Sequence, residues 1–216
     1  MQCQTQEQLL IPGPRGVLEL SLSCPRASKT PIPYGIICHP HPLYGGSMHN
    51  KVVYIIATAF NRLGAGAIRF NFRGVGQSEG EFDQGQGETE DLHAVAAWVQ
   101  AHYAPQALWL AGFSFGSYVA LRGQAYLKPM RLLLVAPPVA HFDFGALTLP
   151  DLPTLIIQGA QDEIVSVAAV RQWIKRQVHQ PQFHCLAQSS HFFHGQLISL
   201  RTLITETWST DDKNSL

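Results

Sequence analysis

The chain has 216 residues, 46% of them hydrophobic, and its 15 basic and 15 acidic side chains give a formal net charge of zero. A zero net charge provides no basic field for phosphate backbones, so we exclude nucleic acid as a partner. Charged residues make up only 14% of the chain, which indicates a folded globular protein rather than a disordered one. The length fits a single domain over residues 1–216, with its core at about residues 30–208.

The sequence lacks the patterns typical of membrane insertion or secretion. No run of about 18 apolar residues exists that could span a bilayer. The first residues, Met1 to Glu7, contain neither the cationic segment nor the apolar run of a secretion signal. The cysteines show no CxxC spacing, and we expect reduced thiols and a cytoplasmic location. Cys38 and Cys185 lie in apolar runs and are expected to be buried; the others are Cys3 and Cys24.

Short apolar runs recur along the chain and predict strands. Residues 5–24 predict one or two antiparallel strands, with a turn at Pro12–Pro14. The later runs are continuously apolar rather than alternating, which is typical of parallel strands covered on both faces. These runs are Gly35–Cys38, Ala67–Phe70, Leu108–Ala111, Leu132–Val135 and Leu155–Ile157, and a further strand is predicted at Gln182–Leu186.

Segments of helical periodicity lie between these strands. Apolar residues recur there at the three- and four-residue spacing of one helix face. The stripes run over Val52–Leu63, Leu92–Val99, Val170–Gln177 and Leu197–Trp208. Strand–helix alternation predicts a three-layer α/β fold, with a mostly parallel central sheet and helices on both faces. Ligands bind such sheets at the carboxyl ends of the strands.

The segment Leu108–Leu121 contains the most informative motif. Gly112, Ser114 and Gly116 form a Gly-x-Ser-x-Gly pattern directly between a predicted strand and a predicted helix. A sharp turn there exposes the serine hydroxyl, tolerates only small residues two positions away, and aims the first helix amides at a developing oxyanion. The alternative is a purely structural turn, because such a pentapeptide also arises by chance. The position between strand and helix favours Ser114 as a nucleophile.

A serine nucleophile needs a base, and the base needs an orienting acid. In this topology the acid and then the histidine follow the serine in chain order. Asp162 lies in the loop directly after the strand Leu155–Ile157, and Ser166 is better placed to cap the next helix. We therefore predict Asp162 as the acid. The other candidates are Glu163, Asp143 and Asp151.

The base is expected among the histidines after Asp162. His191 follows the predicted strand Gln182–Leu186 through a loop of small and polar residues, from which its side chain can swing toward Ser114. We predict His191 as the base, with His194 as the alternative. The remaining candidates are His179 and His184.

The loop after the first long strand, His39–Ser47, is rich in proline and glycine. Such folds take a second oxyanion donor from a backbone N–H at this place. The two prolines of the loop have no N–H, which leaves His41 or Leu43. We favour the amide of His41, acting together with that of Phe115.

Histidines in and near this loop also invite a metal interpretation. His39, His41 and His49 are the nearest candidates, with His191 and His194 as distant additions. No carboxylate or thiolate stands nearby at a ligand spacing. We therefore predict no metal and no cofactor.

Candidate substrate contacts are mainly aromatic. Arg73, in the loop Asn71–Gly80, could bind an anionic substrate group, but a structural ion pair is the favoured role. We expect an apolar wall for the acyl group from Tyr44, Phe113, Phe115, Phe142 and Phe144.

Together these segments resemble the α/β-hydrolase superfamily, most closely small bacterial serine hydrolases related to dienelactone hydrolases and lidless carboxylesterases. The resemblance implies a Ser114–His191–Asp162 triad. Dienelactone hydrolases proper carry cysteine in place of this serine, so their substrate is not implied. Only about 17 residues separate the strands ending near 136 and starting near 154, where many relatives insert a lid, so an open site is expected. The resemblance is carried by His39-Pro40, Gly45–Lys51, Asn71–Gly76, Gly112–Gly116, Asp162-Glu163 and Ser190–Phe193.

The function implied is hydrolysis of carboxylic esters of small or flexible acyl groups through an acyl-enzyme, with a small-molecule ester as the partner. Thioester, amide or peptide hydrolysis by the same triad is the related alternative. The rival from another class is a catalytically silent scaffold that binds a lipid or a protein. That rival predicts erosion of at least one triad position, whereas candidates for all three are present. No oligomeric state is predicted.

Overall fold

An eight-stranded sheet forms the centre of the computed structural model, which describes residues 5–25 and 31–214. The strands are β1 Thr5–Gly13, β2 Gly16–Cys24, β3 Tyr34–Cys38, β4 Gly66–Phe70, β5 Leu108–Phe113, β6 Arg131–Val135, β7 Thr154–Gly159 and β8 Gln182–Leu186. Their order is β1-β2-β4-β3-β5-β6-β7-β8. Strands β3 to β8 run parallel, whereas β1 and β2 are antiparallel. The predicted α/β class with a mostly parallel sheet is confirmed.

The antiparallel strands at residues 5–24 are also present, but their turn lies later than predicted. Pro12 and Gly13 still pair with Val17 and Gly16, so the chain reverses at residues 14–15. The sequence signal marked the region of the turn, whereas the pairing register fixes which residues form it.

Five α-helices in the described residues cover both faces of the sheet. One face carries α1 and α5, whose apolar stripes pack together over residues such as Phe60 and Trp208. The opposite face carries α2, α3 and α4, which pack around residues such as Leu92 and Trp173. The helices are α1 Lys51–Arg62, α2 Gln86–Tyr103, α3 Phe115–Leu127, α4 Val167–Lys175 and α5 Leu197–Asn214.

The apolar runs are explained by this three-layer arrangement. In β3, Ile36 and Cys38 face one core while Ile37 faces the other. Because successive side chains of a strand point to opposite faces, both sets must be apolar when both faces are covered. The strand β8 lies at the edge, and its residue Cys185 is only partly buried, so the expectation of a buried Cys185 was wrong. Cys3 lies outside the described residues.

The connections at the carboxyl ends of the parallel strands create the site. Residues 136–153, all described, contain no helix or strand between β6 and β7, as expected for a chain without an inserted lid. Ser166 caps α4, accepting a hydrogen bond from the amide of Ala169 at 3.4 Å, as predicted. No helix in the described part of the chain is long and apolar enough to cross a membrane.

Candidate active site

Ser114 lies at a sharp turn between β5 and α3. Its backbone adopts φ 52° and ψ −121°, a conformation that L-residues rarely occupy and that stores strain. A Cβ at Gly112 would collide with the carbonyl of Gly116, and a Cβ at Gly116 with that of Cys38. The turn is therefore as tight as the motif requires, and α3 begins directly against the end of β3.

A chain of hydrogen bonds joins three of the candidate residues. His191 Nε2 lies 3.0 Å from Ser114 Oγ, and His191 Nδ1 lies 2.8 Å from Asp162 Oδ2. Because an ionised carboxylate only accepts, Nδ1 carries the proton and Nε2 is free to accept from the hydroxyl. The structure thus brings Ser114, His191 and Asp162 together from the ends of β5, β8 and β7.

The carboxylate of Asp162 is fully buried but fully hydrogen-bonded. Its Oδ1 accepts from the amides of Ile164 and Val165 at 2.9 and 2.7 Å. Burial alone would raise the pKa of Asp162, but the bonds from His191 and these two amides outweigh it and lower that pKa. Asp162 is therefore an anion at neutral pH, aligned with the imidazole.

Gln158 is a residue of this site that sequence reasoning missed. Its Nε2 donates to Asp162 Oδ2 at 2.7 Å, the same oxygen that His191 contacts, and to the carbonyl of Val165 at 3.2 Å. The side chain is completely buried. A signal existed in the sequence, because Gln158 is a polar residue that directly follows the buried apolar run Leu155–Ile157.

The alternative acids and bases lie elsewhere or act differently. Glu163 accepts a hydrogen bond from the backbone N–H of His191 at 3.1 Å, so it contacts the main chain and not the ring. Asp151 pairs with His179 at 3.3 Å, and Asp143 is exposed. The alternative base His194 is exposed as well, before the start of α5, and no hydrogen bond joins it to Ser114 among the described residues.

Two histidines make hydrogen bonds that fix the loop after β3. The buried His39 donates through Nδ1 to the carbonyl of Pro40 at 2.6 Å and accepts from the amide of Phe72 through Nε2 at 3.0 Å. The Nδ1 of His41 accepts from the amide of Leu43 at 3.2 Å. That amide is therefore engaged locally. The first amide of α3, on Phe115, has no acceptor within the helix.

A cavity of about 1070 Å³ opens over Ser114 and His191, and aromatic side chains line much of it. The expected wall was partly wrong, because Phe113 and Phe144 are fully buried in the two cores and do not line the cavity. Phe113 packs in the core beneath α1 and α5, and the ring of Phe144 packs against Tyr118 and Trp173 of the helices on the other face. The aromatic residues of the lining are Tyr44, Phe82, Phe115, Tyr118, Phe142 and Phe192, together with the imidazoles of His41, His141 and His191.

Arg73 has the structural role that was favoured for it. Its guanidinium donates to Asp91 at 2.8 Å and to Glu90 at 3.0 Å, with Arg73 and Asp91 both buried. It does not line the cavity. In the part of the chain that the structure describes, no group of three or more histidines, cysteines or acidic residues could hold a metal ion.

Known proteins similar to this chain share its fold and much of its length. The family model of the alpha/beta hydrolase fold matches residues 36–125. An uncharacterized protein from Rickettsia prowazekii is 34% identical over 198 residues, which cover 86% of this chain and 82% of that protein. A solved α/β serine hydrolase without a lid, from Xanthomonas campestris, is 44% identical with a TM-score of 0.89, covering 93% of this chain and 92% of its own. A serine hydrolase homologue from Coxiella burnetii is 46% identical with a TM-score of 0.89, covering 93% and 96%.

The similarities to the Rickettsia, Xanthomonas and Coxiella proteins extend over most of each chain. The resemblance drawn from the sequence is thereby confirmed. We conclude that the chain belongs to the α/β-hydrolase family, among solved relatives described as α/β serine hydrolases, one of them without a lid.

Proposed function

We propose that this protein is a serine esterase that hydrolyses carboxylic esters through Ser114, His191 and Asp162. The observation that carries the proposal is the hydrogen-bonded chain from Ser114 Oγ through His191 to Asp162, with contacts of 3.0 and 2.8 Å. These are the distances at which a general base removes a proton from a nucleophile. The hydroxyl opens into a cavity large enough for a small organic substrate.

The reaction proceeds by acyl transfer. Ser114 Oγ attacks the ester carbonyl carbon while its proton passes to His191 Nε2, and His191 returns that proton to the leaving alkoxide. Water then attacks the acyl-enzyme, its proton moves to Nε2, and Ser114 Oγ recovers a proton as the carboxylic acid leaves. Asp162 fixes the imidazole tautomer and stabilises its charged form in both halves.

The developing oxyanion is stabilised by the amides of Phe115 and His41. The N-terminus of α3 supplies the first donor, and the close approach of Gly116 to the carbonyl of Cys38 brings the loop of His41 beside it. The engagement of Leu43 with the His41 ring favours His41 over Leu43 as the second donor. Each donor contributes roughly 3–4 kcal/mol to transition-state stabilisation.

The test is hydrolysis of p-nitrophenyl butyrate by the purified protein and by a Ser114→Ala variant. We expect turnover by the wild type, and a loss of about 10⁴-fold or more in the variant. Ser199→Ala, an exposed serine on α5, is the control and should keep wild-type activity. Undiminished turnover in Ser114→Ala would remove the nucleophile assignment. The matched butyryl thioester and p-nitroanilide test the thioesterase and amidase alternatives.

A further inference from the structure

The cavity over Ser114 contains an arginine to which the esterase mechanism gives no role. Arg122 lies on α3 eight residues after Ser114 and lines the same cavity, with Tyr118 midway between them. Eight residues of helix advance about 12 Å, and helical side chains lean toward the N-terminus. The Arg122 guanidinium leans this way, because its central carbon lies 5.5 Å from the Tyr118 ring centroid.

The guanidinium of Arg122 has no acidic partner in the described residues. Its only hydrogen bond there is a long one, from Nη1 to the Tyr118 hydroxyl at 3.4 Å, and its buried Nε has no acceptor. Arg73, by contrast, is paired with both Asp91 and Glu90. An arginine at a concave site that is not bonded to a carboxylate retains its donors for a ligand, and its planar fork matches a carboxylate or phosphate.

One carboxylate, that of Asp143, also lines the cavity, and it opposes an anionic ligand. Asp143 is exposed, and its Oδ1 accepts from the amide of Gly145 at 3.2 Å. Water screens an exposed charge more strongly than a sheltered one. We therefore expect the attraction of an anionic ligand by Arg122 to exceed its repulsion by Asp143.

We propose that the esters accepted by this site carry an anionic group on the acyl chain, remote from the scissile bond, and that Arg122 binds this group. Between the serine and the arginine the chain would cross the rings of Tyr118 and Phe142, which line the cavity and stack on one another with their centroids 5.1 Å apart. An acyl chain with a flexible apolar spacer and a terminal carboxylate fits this arrangement, because the spacer would contact the rings and the carboxylate would contact Arg122. The inference rests on the esterase function proposed above.

The experiment compares two substrates that differ only in charge: p-nitrophenyl hydrogen suberate, with a free carboxylate, and its methyl ester. Wild-type protein should show the higher kcat/KM for the free carboxylate. Arg122→Gln should lower the ratio of the two kcat/KM values by roughly 10- to 100-fold, as expected for losing a charge-assisted hydrogen bond. Asp143→Asn should raise the ratio a few-fold.

The matched control is Arg201→Gln. Arg201 is a helical arginine on α5, with a buried Nε that also lacks an acceptor, but it does not line the cavity. This variant should keep the wild-type ratio. An Arg122→Gln variant with the ratio of the wild type would overturn the inference.

A binding measurement separates this inference from the esterase proposal. Ser114→Ala protein, with and without Arg122→Gln, is titrated with monomethyl suberate and with dimethyl suberate in a calorimeter. Arg122-dependent binding of the monoanion without any ester turnover by the wild type would support the anion site and contradict the esterase function. Turnover of both esters without a charge preference, and equal binding by both proteins, would contradict the anion site alone.

Discussion

His39 and His191 are two buried imidazoles in loops at the same edge of the sheet, and the difference between them separates structure from chemistry. Their exposed fractions are 0% and 2%. His39 lies between two neutral backbone groups, the amide of Phe72 and the carbonyl of Pro40. His191 lies between a hydroxyl and a carboxylate, those of Ser114 and Asp162.

Burial alone produces a histidine that does not take up a proton. Desolvation lowers the pKa of His39 to about 3, and no anionic partner offsets it, so this ring stays neutral at neutral pH. A general base must accept a proton during turnover, which requires a group that stabilises the imidazolium. In the proposed mechanism Asp162 supplies that group for His191. The comparison shows that the charge of the partner, and not the degree of burial, marks the residue suited to catalysis.

Exchanging each imidazole for an amide gives the largest expected contrast. His191→Gln should lower kcat for p-nitrophenyl butyrate by about 10⁴-fold or more, because no group then accepts the proton of Ser114. His39→Gln should cost roughly tenfold or less, since it acts only through the position of the His41 loop. Steady-state kinetics on folded protein, checked by circular dichroism, provides the measurement. Equal losses of kcat in the two variants would contradict the different roles proposed for His191 and His39.

Removing the negative charge of Asp162, the partner of His191, tests directly whether that charge matters for turnover. Asp162→Asn should lower kcat by roughly 10³- to 10⁴-fold, because the amide neither fixes the tautomer nor stabilises the charged ring. The adjacent Glu163→Gln is the matched control and should lose tenfold or less, since an amide oxygen can still accept from the His191 backbone. The measurement is kcat for p-nitrophenyl butyrate in each of the two variants. A larger loss of kcat in Glu163→Gln than in Asp162→Asn would show that Asp162 is not the acid that orients His191.

The neutral, buried state of His39 predicts a smaller effect, on stability rather than on rate. Below pH 6.5 the unfolded chain binds a proton at His39 while the folded chain does not, so stability is lost as the pH falls toward 3. The slope is about 1.4 kcal/mol per pH unit, or about 2 kcal/mol between pH 7 and 5. Asp162, whose pKa is lowered, loses its contribution only as the pH falls below about 4, and so it does not contribute to the change between pH 7 and 5.

Urea unfolding of the wild type and of His39→Gln at pH 7 and pH 5 measures this effect. The free energy of unfolding of the variant should fall by about 2 kcal/mol less than that of the wild type between the two pH values. Parallel pH dependence in the two proteins would mean that His39 is protonated in the folded state.

Much of the fold was predictable because its parallel strands are covered on both faces. A run such as Leu132–Val135 has no polar position, and few structures other than a buried strand accommodate it. The positions of Ser114, Asp162 and His191 follow from the same reasoning, since each lies just after a strand and the parallel strands end at one edge.

Side-chain directions and individual contacts could not be predicted in the same way. Phe113 and Phe115 flank Ser114, but only Phe115 lines the cavity, because the strand and the first turn of the helix point their side chains differently. The bond from Gln158 to Asp162 depends on the path of the loop between them. Such contacts come from tertiary packing, which no local pattern encodes.

The most direct test of the central claim is labelling of the folded wild-type protein with a fluorophosphonate, followed by mass spectrometry of its peptides. If His191 and Asp162 activate the hydroxyl at the elbow, one phosphonyl group should attach to Ser114, and His191→Gln should abolish the adduct. A folded wild-type protein whose Ser114 stays unmodified would contradict the claim and favour a silent scaffold.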